Sequence, residues 1–142
     1  MAYLTFNRTK LRKNYQYLNG VFKERKIEWA IVTKLLCGDE ALLKEVIDLG
    51  IKEICDARIS NLKKIKEMAG DQVQTVYIKP AARKVIPDVI RYADVSFNSE
   101  YSTIKALSDE AQHQGKTHKI IIMIELGDLR EGVMGEELVD FY

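Results

Sequence analysis

The sequence has no marked excess of charge and no long apolar run. Its 22 basic residues nearly match its 21 acidic residues. It therefore lacks the excess of positive charge that would bind nucleic acids or anionic membranes. No apolar stretch approaches the roughly eighteen residues of a membrane-spanning helix, and the N-terminus lacks the basic and apolar regions of a signal peptide. We therefore expect a protein with no nucleic-acid partner and no membrane association.

Cysteine and histidine are also scarce, with two of each. Cys37 and Cys55 form no CxxC pair and have no histidine beside them, which argues against a zinc site or a disulfide framework. A reducing, cytoplasmic setting fits this usage best. His113 falls on a predicted helix and His118 opens a predicted strand, so we expect both to be solvated rather than catalytic. Histidine-based hydrolases and metal sites are therefore poorly supported.

Apolar runs and helical patterns alternate along the chain. The apolar runs predict five strands, at 29–34, 51–55, 73–78, 94–97 and 118–125. Helical spacing, acidic first turns and terminal glycines predict helices at about 8–26, 39–50, 60–70, 82–92, 100–114 and from 135 onward. Strands that alternate with helices over short connections are typical of α/β folds with parallel strands. The nearly continuous apolar runs indicate strands covered on both faces.

Two architectures fit this alternation: an open doubly wound sheet and part of a (β/α)8 TIM barrel. A complete barrel takes about 250 residues and has eight strands, whereas this chain has 142 residues and five predicted strands. No linker or shift in composition divides it, so residues 1–142 are expected to form one domain. The chain stops within a predicted helix that has no cap. We therefore expect the N-terminal portion of an incomplete TIM barrel.

Charged and polar residues follow the predicted strands. The carboxyl ends of parallel strands share one edge of the sheet, where chemistry is usually placed. The residues expected at that edge are Lys34 with Cys37, Asp56 with Arg58, Lys79, Asn98, and Glu125 with Arg130. The sequence has neither a G-x-G-x-x-G nor a phosphate-loop pattern. The candidate chemistry therefore depends on amines, guanidinium groups and carboxylates.

Lys34 is the preferred candidate nucleophile. It ends a strand-like run, and an amine that is partly desolvated there can form a Schiff base with a carbonyl. The alternative is a lysine that simply reaches from the strand end into solvent. Lys79 is the rival amine, but Arg83 and Lys84 give it a basic setting, so we expect it to be wetter and less nucleophilic than Lys34.

The order of these features resembles a known family. An apolar strand ends in Lys34 early in the chain, and a long apolar strand ends much later in Glu125, followed by Gly127-Asp-Leu-Arg130-Glu-Gly132. This arrangement is similar to the N-terminal barrel domain of the alanine racemase family of fold-type III pyridoxal-phosphate enzymes. The runs 33–39 and 124–133 look most similar to ornithine racemase-like members.

The resemblance implies roles for individual residues. Lys34 matches the lysine that holds pyridoxal 5'-phosphate as a Schiff base and moves the α-proton on one face of the substrate. Arg130 matches the arginine beside the phenolic oxygen of the cofactor, and Gly127 and Gly132 belong to the same loop. Asn14 matches an asparagine of the first helix, which we take to be structural.

Two departures from alanine racemases leave the substrate open among ornithine, lysine and alanine. Cys37 stands near the place of a family tyrosine, in a loop one residue shorter, and Met123 stands where a lysine is common. The second proton-transfer residue and the phosphate-binding loops come from later parts of the family's chains. We therefore expect these 142 residues to be inactive alone, and to associate as a homodimer or through the exposed edges of the half barrel.

The implied function is a pyridoxal-phosphate-dependent amino-acid racemase, an isomerase that acts on a small amino acid. A fold-type III aldolase or decarboxylase would share the lysine and differ in the rest of the barrel. A non-catalytic pyridoxal-phosphate-binding homeostasis protein is a further alternative, although such proteins carry a glutamate–asparagine signature where this chain has Cys55-Asp-Ala-Arg58. The last alternative is a half barrel that only assembles with a partner chain.

Overall fold

The computed structural model describes residues 5–141, so residues 1–4 and the predicted end of the last helix at Tyr142 lie outside it. The strands within this range are β1 (Ile31–Val32), β2 (Glu53–Asp56), β3 (Gln74–Tyr77), β4 (Val95–Asn98) and β5 (Lys119–Ile122). The helices are α1 (Arg8–Glu24), α2 (Glu40–Ile47), α3 (Ile59–Ala69), α4 (Ile86–Tyr92), α5 (Tyr101–His113) and α6 (Leu138–Phe141). None of these helices is both long and apolar enough to cross a membrane.

The strands form one parallel sheet in the order β1-β2-β3-β4-β5. Each parallel neighbour requires a crossover connection, which helices α2 to α5 provide. Within residues 5–141, β1 and β5 are the two outer strands and the sheet does not close. The prediction of five parallel strands alternating with helices is confirmed, and the open sheet is consistent with an incomplete (β/α)8 barrel.

The two faces of the sheet are covered unequally. One face packs against the helices, and its main core includes Leu43, Ile54, Leu62, Ile65, Tyr77, Val89 and Leu107. On the opposite face, which we call the open face, a smaller cluster forms around Cys55, Val76 and Val95. Val32 and Ile121 share that face by register and are 47% and 45% exposed. The expectation of strands covered on both faces is therefore wrong for the part of the chain that the structure describes.

Four of the five strands are shorter than predicted, whereas β4 keeps the predicted length and lies one residue later. The run 118–125 forms a strand only over Lys119–Ile122, and the chain beyond it makes a single bridge between Ile124 and Val133. β1 has two residues, because the chain bends at Thr33 into a 3-10 turn over Lys34–Leu36. The apolar runs of β1 and β5 thus continue past the last hydrogen-bonded pair of the sheet, at the carboxyl edge where the candidate residues lie.

Candidate functional site

Lys34 lies immediately beyond β1, at the carboxyl edge of the sheet. The Thr33 N–H donates to the Cys55 carbonyl at 2.9 Å, so the pairing with β2 continues up to the residue before the lysine. The 3-10 turn that begins at Lys34 ends with Cys37 and Gly38 at positive φ values of 52° and 73°. Lys34 is exposed, and no residue among 5–141 forms a hydrogen bond or ion pair with its amine. The amine is therefore free to meet an incoming carbonyl.

Asp56, at the end of β2, holds the backbone next to Lys34. Its side chain is completely buried and accepts a 2.9 Å hydrogen bond from the Thr33 hydroxyl. It also accepts from the Asn61 amide at 3.1 and 3.2 Å and from the Arg58 N–H at 2.9 Å. A buried carboxylate is tolerated only when it is well hydrogen-bonded. These bonds tie the end of β1 to the first turn of α3.

The far end of the Lys34 turn is held by the same segment. The Lys64 ammonium donates to the Gly38 carbonyl at 2.8 Å, and a Cβ on Gly38 would lie 2.5 Å from Asn61 Oδ1. Arg58 Nη1 lies 3.5 Å from the Lys34 carbonyl oxygen and 3.6 Å from Cys37 Sγ. Glycine at position 38 therefore permits both the left-handed backbone and the close approach of α3.

Sequence reasoning placed Asp56 and Arg58 at this edge but assigned them no role, and it missed Asn61 and Lys64. A signal was available for Asp56, because an aspartate after a predicted strand can accept a hydrogen bond from the backbone N–H two residues later, as it does here from Arg58. The partner Thr33, however, is distant in sequence, and only the tertiary structure brings it to Asp56.

Arg130 lies in the loop from Glu125 to Val133, which follows β5 at the same edge. Glu125 Oε1 accepts hydrogen bonds from the Leu129 N–H at 3.1 Å and from the Gly127 N–H. These backbone donors hold the pKa of the Glu125 carboxyl below its ordinary value. The Glu125 N–H donates in turn to the Val133 carbonyl at 3.0 Å. Arg130 is exposed at the tip of this ordered loop and makes no hydrogen bond with the residues that the structure describes.

Two other residues predicted at this edge behave differently from Lys34. Lys79 and Lys34 are both exposed, so burial does not distinguish the two amines, and the expectation that Lys34 is the drier one stays a prediction. The two lysines differ instead in how their backbone is held, because hydrogen bonds with Asp56 and Lys64 restrain the Lys34 turn. Asn98 is buried and donates to the Ser96 hydroxyl at 2.9 Å and to the Ser96 carbonyl at 3.0 Å. Asn98 thus ends β4 at this edge but is buried there, and its Oδ1 has no hydrogen-bond partner among the described residues.

The two histidines lie away from this edge. His113 is exposed, as predicted. His118 precedes β5 on the opposite edge, as predicted, but it is not solvated: Nδ1 lies 3.2 Å from the Ala93 carbonyl and Nε2 2.8 Å from the Ser96 hydroxyl. Its burial lowers its pKa. The expectation of a solvated His118 is wrong, because the ring fills a polar gap beside β4.

The family model of the alanine racemase N-terminal domain matches residues 6–142. The chain belongs to this family. The resemblance drawn from the runs 33–39 and 124–133 is thereby confirmed. The assignment of Lys34 and Arg130 as cofactor residues stays a prediction, which their common position at the carboxyl edge supports.

Relatives of this alanine racemase N-terminal domain include two curated racemases. The ornithine racemase of Acetoanaerobium sticklandii is 34% identical over 134 residues, which cover 94% of this chain and 37% of that protein. The lysine racemase of Thermotoga maritima is 27% identical over 137 residues, covering 96% of this chain and 38% of that protein. The chain thus spans less than two fifths of the length of these relatives.

A solved structure shows the same fold. The alanine racemase from Bartonella henselae with covalently bound pyridoxal phosphate aligns with a TM-score of 0.75 at 17% identity. The alignment covers 94% of this chain and 38% of that chain. At this identity the likeness establishes the fold of the alanine racemase N-terminal domain, which agrees with the open parallel sheet described above.

Proposed function

We propose that this chain carries the cofactor lysine of a pyridoxal-phosphate-dependent amino-acid racemase. The observation that carries the proposal is the exposed, unpaired Lys34 amine at the carboxyl edge of a sheet that belongs to the alanine racemase N-terminal domain family. The covalently bound pyridoxal phosphate of the Bartonella henselae structure supports the choice of cofactor. Residues 1–142 are in this view part of a pyridoxal-phosphate-binding barrel domain.

The residues at the carboxyl edge fit an anionic aldehyde. The exposed cations there include Lys34, Arg58, Lys79 and Arg130, which are suited to attract a phosphate-bearing group. The carboxylates of Asp56 and Glu125 already accept hydrogen bonds from neighbouring protein groups. They therefore do not compete for the Lys34 amine.

Pyridoxal phosphate, when bound, withdraws electrons from the substrate α-carbon and makes its hydrogen acidic. Lys34 Nζ is the attachment point for that group and, once released, the base that takes or returns the α-proton on one face. The guanidinium of Arg130 is a planar cation with several N–H donors. We assign it to the phenolic oxygen of the cofactor.

Racemisation also needs a proton donor on the opposite face of the α-carbon. The Asp56 carboxylate is buried and hydrogen-bonded, the Asn98 amide is buried with its nitrogen donating to Ser96, and neither histidine lies at this edge. We therefore assign the second proton transfer to a group outside residues 5–141, and we propose that the 142 residues are inactive by themselves. Association through the open edges of β1 and β5, including as a homodimer, would supply further contacts.

The proposed substrates are small amino acids, with ornithine and lysine placed before alanine. This order rests on the two relatives named ornithine racemase and lysine racemase. Both thiols are free, which suits the cytoplasmic setting that we propose.

Cofactor trapping tests the assignment of Lys34. The chain is incubated with pyridoxal phosphate and reduced with borohydride, which converts the linkage to a stable secondary amine, and the modified lysine is located by peptide mass spectrometry. We expect modification mainly at Lys34 and its loss in Lys34→Ala, with Lys79→Ala as the matched control that retains it. Modification mainly at Lys79, or spread evenly over many lysines, would contradict the proposal.

Activity is tested in this chain and in any longer natural protein that contains it. Loss of optical rotation from L-ornithine, L-lysine or L-alanine is expected in the longer protein, and we expect Lys34→Ala to abolish it. Racemisation that survives in Lys34→Ala excludes Lys34 as the base. Release of carbon dioxide from these substrates, without racemisation, would identify a decarboxylase, and release of an aldehyde from a β-hydroxy amino acid would identify an aldolase.

A further inference from the structure

We propose that Asp56 and Arg58 are positioning residues for Lys34. In this view they do not touch the substrate, but hold the turn that presents the lysine amine. The inference rests on the proposed function, because positioning matters only if Lys34 is the reactive group. It deepens that function by naming what fixes the orientation of Lys34, which lies outside the resemblance that identified the lysine.

The hydrogen bonds of Asp56 come from the two segments that flank the Lys34 turn. All three donors, the Thr33 hydroxyl, the Arg58 N–H and the Asn61 amide, belong either to the residue before Lys34 or to the start of α3. The carboxylate is fully buried and therefore lies behind the turn, not in the path of a ligand. Its geometry suits a fixed anchor rather than an acid or base.

The segment from Asp56 to Asn61 restrains both ends of the Lys34 turn. Asp56 fixes Thr33 at the start, while Asn61 packs under Gly38 at the end. Arg58 spans the middle, with one nitrogen close to both the Lys34 carbonyl oxygen and Cys37 Sγ. The Lys34 backbone is thus restrained by groups on three sides, although its side chain is exposed. Reactive groups gain most when their support is rigid in this way.

A matched control exists at the opposite edge of the sheet. Asp94 accepts hydrogen bonds from the Thr75 N–H at 2.8 Å, the Thr75 hydroxyl at 2.9 Å and the Lys66 ammonium at 2.9 Å. It therefore anchors backbone much as Asp56 does, but at the amino edge, away from Lys34. Loss of Asp94 should reduce stability without changing the reactivity of Lys34.

The experiment measures Lys34 labelling in the purified chain by pyridoxal phosphate and borohydride. Exposed Lys105 serves as the internal reference, and the readout is the ratio of Lys34 to Lys105 modification by peptide mass spectrometry. Variants D56N, R58A and D94N are compared with the unaltered chain at equal fractions folded. Because the D56N chain can fail to fold, T33V provides a second probe that removes one hydrogen bond to Asp56 and retains the side-chain shape.

We expect D56N and R58A to lower the ratio by about tenfold, since small displacements of a reactive group have effects of this size or larger. T33V should lower it less, and D94N should leave it within about twofold although its unfolding midpoint falls. Unchanged ratios in R58A and T33V, with Lys34 still preferred in the unaltered chain, overturn the positioning role alone. An equal fall in D94N overturns it as well, because general destabilisation then explains the effect. Absence of any Lys34 preference in the unaltered chain overturns the proposed function and this inference together.

Discussion

Gly132 lies against the backbone of Glu125. A Cβ on Gly132 would lie 2.7 Å from the Ile124 carbonyl carbon and 2.8 Å from Glu125 Cα, and the φ of Gly132 is +150°. The Val133 N–H donates to the Met123 carbonyl at 2.8 Å, directly beside this contact. The close approach of glycine thus allows the loop that carries Arg130 to return to the end of β5.

Gly132→Ala should loosen this loop. The substitution introduces both a steric clash and an unfavourable φ, and strain of this kind is worth about 1–3 kcal/mol. We expect the opening free energy of the Glu125 and Val133 amides to fall by that amount, as measured by hydrogen exchange. Gly135→Ala is the control, because a Cβ there meets no atom within 4 Å. Equal exchange in the two variants would show that the contact does not fix the loop.

His118 should make the chain less stable in mild acid. Its Nδ1–H donates to the Ala93 carbonyl, since a carbonyl can only accept, so the neutral ring accepts from the Ser96 hydroxyl through Nε2. Burial lowers the pKa of His118 from its ordinary value of 6.5, against the opposing influence of the Ala93 carbonyl and Asp94. The full stability is therefore present above pH 6.5 and is lost as pH falls through the lowered pKa.

Urea unfolding between pH 7 and pH 5 tests this expectation. As the pH is lowered, the free energy of unfolding should decrease in the unaltered chain. It should decrease less in His118→Gln, because the glutamine side chain cannot take up a proton. His113→Gln provides the control, because His113 is exposed, and it should retain the pH dependence of the unaltered chain. An unaltered slope in His118→Gln would assign the acid sensitivity to another group.

Asp94→Asn should destabilise the amino edge of the sheet. Burial alone would raise the pKa of Asp94, but hydrogen bonds from Thr75 and Lys66 outweigh it and lower the pKa below 3.8. The contribution of Asp94 is thus present above pH 3.8 and is lost as pH falls through the lowered pKa. We expect the free energy of unfolding to decrease by about 1–2 kcal/mol at pH 7. This is toward the lower end of the range for hydrogen bonds to a charged group, because the Asp94 side chain remains partly solvated.

Chemical denaturation measures that loss, and Asp109→Asn is the matched control. Asp109 forms an exposed ion pair with Lys105, and such pairs contribute about 0–1 kcal/mol. Equal destabilisation by the two substitutions would mean that the Thr75 and Lys66 contacts add nothing beyond surface charge.

The two cysteines should react at very different rates. Burial, with the nearby charges of Glu53 and Asp56, raises the pKa of the Cys55 thiol to about 11, so its thiolate is rare at pH 8. Cys37 is exposed. A thiol reagent such as Ellman's reagent should therefore label one thiol quickly and the second only after unfolding in guanidinium. Cys37→Ser should remove the fast phase, and a fast phase that survives would place the reactive thiol at Cys55.

The order of strands and helices was accessible from the sequence because it depends on local patterns. Glycines at 50, 70 and 115 follow helical spacing, and apolar runs mark each strand. The lengths of the strands were less accessible, because apolar residues such as Ile124 continue past the last ladder contact of β5. Pairing, not hydrophobicity, decides where a strand ends, and pairing depends on the neighbouring strand.

Features of the site that depend on tertiary contacts were missed. His118 was expected in solvent, yet it bonds Ser96 and Ala93, more than twenty positions earlier in the chain. The support of Lys34 by Asp56 was likewise invisible, since strand-end position predicted Lys34 but said nothing of what lies behind it. Lys34 was expected to be partly desolvated, but it is exposed because the apolar run before it does not cover the turn.

The bond between Thr33 and Asp56 joins residues 23 positions apart, and that between Gly38 and Lys64 joins residues 26 positions apart. Closing loops of this length has an entropic cost that is offset only when the partners have formed their own structure. During synthesis, which proceeds from the N-terminus, the Lys34 turn emerges well before the segment that holds it. Lys34 therefore comes early in the sequence, but we expect its turn to become ordered only after β2 and α3 have folded.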